Sequence, residues 1–520
     1  MKYLPTDVST FSIMINDNYV YVDKTEYIYK LFGGGTRYYF LSRPRRFGKS
    51  LLISTLKELF LGNRELFKGL WIDSSDYKWQ KHPVIHIDFS VIAHDSPEQL
   101  YQALSLKLQD IGLSYGIDIS SISIVQSQFE FLVKELSKKN KVVILIDEYD
   151  KPILDSIASI EKATLIRNAL SAFYGVLKGL DEHIRAVFIT GVTKFARTSI
   201  FSGLNNLNEI SMEGQYNALL GYTPDELIAN FEPYINTLAQ EKKCSVDFLV
   251  AEMKRWYDGY QFTKKENVER VYNPFSTLLF LAKHEFSNYW FASGTPTFLM
   301  ELIKKRNFPV VDIDNVVAAE SELGSFTIEN LSVKTVLFQT GYLTIDYYDE
   351  EAEAYYLRIP NYEVRASFFN YLLNSFTSVE PSFINDLVIQ ILQSLKKQDI
   401  DKFCHLLQSF FASIPSNIQI SLERYYQTIV FVLAKIIGLK TNVEVVTNVG
   451  RIDMIIEMND IVYVFEFKIV GDAQGALEQI EEKHYYQQYL NAQKAIVLVG
   501  ILFDVKKRNV DSWVVKNIDI

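Results

Sequence analysis

The sequence predicts an α/β multidomain protein with a parallel sheet sandwiched by helices, a helical middle and a compact C-terminal α/β unit. Three observations predict it. Residues 36–200 alternate short apolar runs with helical stretches, as strands joined by crossover helices do. Segments such as Thr223–Leu238 and Ser245–Tyr257 switch to amphipathic helical spacing. Residues 421–520 read helix, strand, strand, helix, strand. The expected divisions are 1–220, 221–376, 377–420 and 421–520.

In the first division the candidate strands are Tyr38–Leu41, Val84–Asp88, Val142–Ile146 and Ala186–Thr190. Val142–Ile146 is apolar without alternation, as a strand buried on both faces requires. In the second, Thr223-Pro224-Asp225-Glu226 starts a helix: a Thr cap, Pro at the first position, acids in the first turn. Gly341–Tyr348 and Ala354–Ile359 suggest a small β-hairpin ending that division. Residues 377–420 are expected to be mostly helical.

A chain of 520 residues exceeds one ordinary core and suggests about three or four folding units. The aromatic content of 14% argues for large buried cores and against disorder. The net charge of −10 does not advertise a nucleic-acid binder, although a local basic channel is compatible with it. Cys244 and Cys404 are far apart, without metal-ligand spacing. The N-terminus lacks an apolar secretory core, and the longest apolar runs, Thr428–Leu439 and Ala495–Phe503, are too short for a bilayer. A soluble, cytoplasmic protein with no membrane partner is expected.

Tyr38–Phe60 runs from a strand through a loop into Gly48-Lys49-Ser50 and an amphipathic helix. That is the context of a phosphate-binding loop: N–H groups at a helix start face an anion. Arg46, Phe47, Gly48, Lys49, Ser50 and Leu51 are the expected cradle. Lys49 would reach the β- and γ-phosphates of ATP, and Ser50 would offer its hydroxyl to Mg2+. The loop reads RPRRFGKS, with Arg43 where the usual pattern has its first glycine. Alone, the tripeptide would fit a basic surface turn better.

Context changes that reading. Val142–Ile146 runs into Asp147-Glu148, a buried strand ending in an acid for the metal and a second acid able to act as general base. Solvated acids at a strand end are the plainer alternative. Ala186–Thr190 ends in a polar group, Thr190, expected beside the γ-phosphate. Three strand ends would then converge where open α/β sheets bind ligands. Arg43, Arg45 and Arg46 could touch phosphate or nucleic acid. Arg197 could be an arginine finger, or a surface arginine, which is favoured slightly.

A second constellation is Asp453 in GRIDMIIE and Glu466 and Lys468 in FEFK. A two-residue turn at Asn459-Asp460 pairs Met458 with Ile461 and sets Asp453 directly across from Glu466, with Cβ atoms about 4.5–5.5 Å apart. Lys468 shares that face. Opposed carboxylates repel unless a cation joins them, and Mg2+ suits a site of few carboxylates. A solvated hairpin face is the alternative, and another turn length would break the geometry. Gln479, Lys483 and Tyr486 form one helical stripe that could support the site or face solvent. Residues 421–520 carry eleven basic and thirteen acidic side chains, so bulk charge adds no support for nucleic-acid binding.

The motifs YVDKTEYI (21–28), RPRRFGKSL (43–51), ILIDEYDKPI (144–153), FITGVTKF (188–195), WYDGYQF (256–262), NYWFASGTPTFL (288–299), GRIDMIIE (450–457) and YVFEFKI (463–469) carry a resemblance. The chain resembles bacterial two-domain proteins with an N-terminal AAA-ATPase-like domain and a C-terminal PD-(D/E)XK nuclease-superfamily domain. The resemblance implies an additional-strand P-loop sheet, a helical lid with a winged-helix-like unit, and a restriction-endonuclease-like core. It makes Arg43 a usual loop residue and assigns Asp453, Glu466 and Lys468 to the nuclease motif. An earlier acid normally completes such sites, with Glu444 preferred over Glu423.

The expected function is ATP binding and hydrolysis, coupled to a Mg2+-dependent nuclease-like domain acting on DNA or RNA. The alternative is an ATP-dependent switch whose nuclease-like domain binds nucleic acid or protein without cleavage. A phosphoryl transferase ranks last, because no acceptor pocket is legible. A homo-oligomer is left open.

Overall fold

The structure, a computed structural model, describes residues 1–195, 200–201, 204, 206–290, 297–306, 308, 310–324, 327–414, 423–447, 450–484, 486–492 and 494–518. Arg197 lies outside them. Two compact units divide the chain: residues 1–306 with 315–363, and residues 307–314 with 364–520. The four expected segments are thus grouped in two, with a boundary inside the helix Tyr362–Thr377. Among the described residues no helix is long and apolar enough to cross a membrane.

The first unit is built on a parallel sheet of β1 (Tyr38–Ser42), β2 (Val84–Asp88), β3 (Val142–Asp147), β4 (Ile184–Gly191) and β5 (Asn208–Glu209), in the order β2-β3-β4-β1-β5. The four expected strands are present. β4 lies between β1 and β3, which is the additional-strand arrangement. Every residue of β3 is buried, which explains its unbroken apolar run. The flanking helices include Lys49–Phe60, Pro97–Ser114, Val125–Ser137 and Ile160–Gly175. Phe129 and Phe173 stack at 4.9 Å between two of them.

The helix Pro224–Lys242 begins at a capping box: Thr223 accepts from Glu226 N, and the Glu226 carboxylate accepts from Thr223 N. With Val246–Tyr257 and Pro274–Lys283 it buries a cluster around Phe231, Met253 and Tyr257. Val20 and Val22, from the N-terminal segment, belong to the same cluster. The expected hairpin exists as β7 (Thr344–Asp349) and β8 (Ala354–Arg358), joined by β6 (Val316–Ala319) in the antiparallel order β6-β8-β7.

The second unit contains the helices Pro381–Lys396 and Ile400–Ser413, as expected for that stretch. Among the described residues its sheet has five strands: β9 (Lys440–Thr447), β10 (Gly450–Glu457), β11 (Ile461–Lys468), β12 (Ala495–Asp504) and β13 (Asn509–Ile518), in the order β13-β12-β11-β10-β9. β11 and β12 run parallel, and the other pairings among the described residues are antiparallel. The sequence pattern missed β9 and β13. Both are edge strands rich in polar residues, so neither shows the apolar signature of the central ones. Ile480 and Leu477, on the helix Ala473–Glu482, pack against Val464 and Leu498 of the sheet.

Candidate functional site

The loop after β1 enters the helix Lys49–Phe60 through Gly48, whose φ of +91° is left-handed. Arg46 is also left-handed, with φ of +64°. Few residues hold such a loop by themselves, and side chains anchor this one. Arg43 is fully buried and donates to the carbonyls of Ser211 and Tyr216, with its guanidinium 4.1 Å from the Phe262 ring centroid. Burial pushes its pKa down to about 9. Of the arginines expected to touch phosphate, Arg43 is therefore corrected to an anchor turned into the protein. Phe47 is buried edge-on to Tyr260 and Phe262.

Lys49 is buried, and its ammonium donates to the carbonyls of Arg43 at 3.0 Å and Pro44 at 2.9 Å. Burial lowers its pKa, while Asp147, Glu148 and Asp150 pull it back up. These acids follow β3. Glu148 adopts a left-handed φ of +51°, an uncommon state for a side chain of its size. Desolvation by burial raises its carboxyl pKa. Asp150 ties β3 to β4 by accepting from Val192 N, Thr193 N and the Thr193 hydroxyl.

A cavity of about 460 Å³ lies against these strand ends, lined by Arg45 through Leu52 and by Glu148, Asp150 and Val192. Arg46, Phe47, Gly48, Lys49, Ser50 and Leu51 all contribute to its wall. Thr190 differs from expectation. It is fully buried, and its hydroxyl donates to Asp147 Oδ1 at 2.6 Å. A buried hydroxyl takes the nearest acceptor, so Thr190 holds Asp147 rather than facing the cavity. Asp147 is itself buried, and its neighbour Glu148 lines the cavity.

In the second unit Met454 pairs with Phe465, and Met458 N donates to Ile461 O across the turn at Asn459 and Asp460. This is the register that sets Asp453 opposite Glu466. The ladder opens there: Asp453 Oδ2 accepts from Phe467 N at 2.7 Å. Glu466 Oε1 faces Lys468 Nζ at 3.5 Å and accepts from the Gln479 side-chain amide. Gln479 Oε1 in turn accepts from Lys468 Nζ at 2.5 Å. Glu466 is buried, and burial together with Asp453 pushes its pKa up to about 8. Among the described residues its Oε2 has no hydrogen-bond partner.

Residues 5–201 match the family described as predicted AAA-ATPase, and residues 421–513 match the PD-(D/E)XK nuclease superfamily. A protein of Azotobacter chroococcum mcd 1, described as an uncharacterized protein in the vnfD 5' region, is 38% identical over 534 residues, covering 99% of each chain. The chain belongs to this AAA-ATPase and PD-(D/E)XK nuclease-superfamily family. The Aeropyrum pernix ORC1 protein, solved in complex with DNA, aligns over 66% of this chain and 90% of its own at 12% identity and a TM-score of 0.23. That overlap is too loose to bear on either fold or function.

For the AAA-ATPase-like unit, the cavity could offer an anion a helix start and the ammonium of Lys49, which here rests on loop carbonyls. For the PD-(D/E)XK unit, a buried carboxylate oxygen with no partner among the described residues, across from a second carboxylate, could serve a hard divalent cation. Among the described residues no third acid, histidine or cysteine joins them. The Glu444 and Glu423 side chains lie outside the described residues.

Sequence reasoning missed the far wall of the cavity, formed by Pro5–Ser9, Val20–Val22, Lys24, Leu219–Tyr222, Phe275 and Leu278. Lys24, buried, donates to Ala218 O and pairs with Glu226 at 2.6 Å. The YVDKTEYI motif contains this lysine, but nothing in its local pattern says that it meets a helix cap some 200 residues later.

Proposed function

We propose that this protein binds ATP with Mg2+ in the first-unit cavity, hydrolyses it, and couples this to a nuclease-like domain acting on nucleic acid. One observation carries the reading: Lys49 and Glu148, from the ends of different strands, line the same cavity. The triphosphate would lie along the N–H groups of Gly48, Lys49 and Ser50, with Lys49 exchanging its loop carbonyls for phosphate oxygens. The apolar wall of Val20, Val22, Leu220 and Leu278 suits a flat base. Glu148, its proton affinity raised by burial, would take a proton from the attacking water. Ser50 and Asp147 would hold Mg2+, which supplies neutralisation of phosphate charge. ATP titration of wild type and Lys49→Ala tests this, and equal binding by both would refute it.

In the second unit, Asp453 and Glu466 would hold a divalent cation whose chemistry is activation of water for phosphodiester cleavage. Lys468, released from Gln479, would orient the nucleophile. Incubating nucleic acid with wild type, Asp453→Ala and Lys468→Ala in Mg2+ and ATP tests this. A specific observation favours the second reading, binding without cleavage: Lys468 and Glu466 Oε1 are already tied together through Gln479. Nucleic-acid affinity unchanged by Asp453→Asn, with no cleavage by wild type, would select that reading.

A further inference from the structure

The phosphate loop reads RPRRFGKS, with one glycine, so contacts from outside must set its peptide planes. Arg43 and Phe47 fix its two ends. Its middle rests on a different part of the unit. Pro44 packs on Gly341, where a Cβ would come within 2.8 Å of Pro44 Cβ. The indole Nε1 of Trp290 donates to the carbonyl of Arg45 at 3.2 Å.

That bond has a geometric consequence. In a trans peptide the C=O and the following N–H point to opposite sides. Holding the Arg45 carbonyl toward Trp290 turns the Arg46 N–H the other way. Arg46 lines the cavity, and its guanidinium lies 4.6 Å from the Phe275 ring centroid, another cavity residue. Its left-handed backbone needs such support, because a non-glycine residue there is strained by roughly 1–3 kcal/mol.

Trp290 is itself fixed. Its backbone N–H donates to Glu363 Oε1 at 2.7 Å, and the same oxygen accepts from the Ser276 hydroxyl at 3.0 Å. Its ring meets Tyr342 edge-on at 5.1 Å. Glu363 is wholly buried. A buried carboxylate with two directed donors is costly to place and defines the position of what it holds. Ser276 is next to Phe275, so both arms of Glu363 lead to residues touching Arg45 or Arg46.

We propose that Trp290, seated by Glu363, is a positioning residue that aims the Arg46 N–H at the phosphates of the bound nucleotide. The inference rests on the ATP reading above. It separates phosphate recognition from base recognition, because Trp290 reaches the loop and not the apolar wall.

The test compares ATP and adenosine binding to the full chain. Trp290→Phe keeps a ring against Tyr342 and removes the N–H. It should weaken ATP about ten-fold and leave adenosine within roughly two-fold of wild type. Glu363→Ala should show the same selective loss, and Glu363→Gln, which keeps an acceptor for both donors, should restore ATP affinity. If Trp290→Phe binds both ligands like wild type while Lys49→Ala loses ATP, the inference is overturned and the ATP reading stands. Equal loss of ATP and adenosine in Trp290→Phe and Glu363→Ala means structural support alone and also overturns it. If Lys49→Ala binds ATP like wild type, the ATP reading falls and takes the inference with it.

Discussion

The Thr190 hydroxyl donates to Asp147 Oδ1 at 2.6 Å, joining the ends of β4 and β3 beneath the cavity. The Glu148 backbone N–H donates to the same oxygen at 3.0 Å. One carboxylate oxygen thus fixes both its neighbour strand and the start of the acid that faces the cavity. Replacing the hydroxyl by a methyl leaves this oxygen short of a donor at about the same volume. Thr190→Val should therefore cost about 1–3 kcal/mol of stability and lower ATP turnover about ten-fold, with KM little changed. Steady-state kinetics beside urea denaturation would check it. A raised KM with unchanged kcat would contradict the role given to Thr190.

Arg43 has no exposure to speak of and spends its donors on the Ser211 and Tyr216 carbonyls. Arg43→Met would orphan two buried acceptors, at a cost on the order of 2–4 kcal/mol. Arg43→Lys should rescue little, since an ammonium lacks the planar fork and the stacking on Phe262. Chemical denaturation of both variants measures this. A lysine variant as stable as wild type would show that charge alone suffices.

Burial pushes the Glu363 carboxyl from 4.5 up to about 7. A carboxyl with a raised folded pKa binds its proton more tightly folded than unfolded. Its contribution to stability is therefore full below about 4.5 and is lost as pH rises toward about 7. The loss should be on the order of 3 kcal/mol. Glu363→Gln should flatten that slope. Melting curves between those limits would show it, and parallel profiles for the two proteins would contradict it.

Asp453 performs two tasks that can be separated. Its Oδ2 accepts the Phe467 N–H, and its charge faces Glu466. Asp453→Asn keeps an acceptor oxygen and removes the charge. It should fold with a melting temperature near that of wild type and lose cleavage of nucleic acid by at least about a hundred-fold. Gln479→Ala, which frees both Glu466 and Lys468, should change cleavage without changing nucleic-acid affinity. A cleavage rate unaffected by Asp453→Asn would remove Asp453 from the site.

Much of this was legible in the residues themselves. Val142–Asp147 shows its double burial as an unbroken apolar run, and Gly48-Lys49-Ser50 shows a strand-to-helix turn. The two-residue turn at Asn459 and Asp460 fixes the Asp453–Glu466 register by counting alone. These are local or nearest-strand relations, carried by periodicity of two and by turn length. The polar edge strands β9 and β13 were not legible, because an edge need not bury both faces.

The sequence alone singled out side chains suited to phosphate and metal chemistry, because residue type and strand spacing bring their own geometry. Tertiary structure alone decided which way they turn. It sent Arg43 inward to Ser211 and Tyr216, set Thr190 on Asp147, brought Lys24 to Glu226, and placed Trp290 on the Arg45 carbonyl. Buried polar groups must find partners wherever the fold offers them, and those partners lie up to 245 residues away in the chain, beyond the reach of any local pattern.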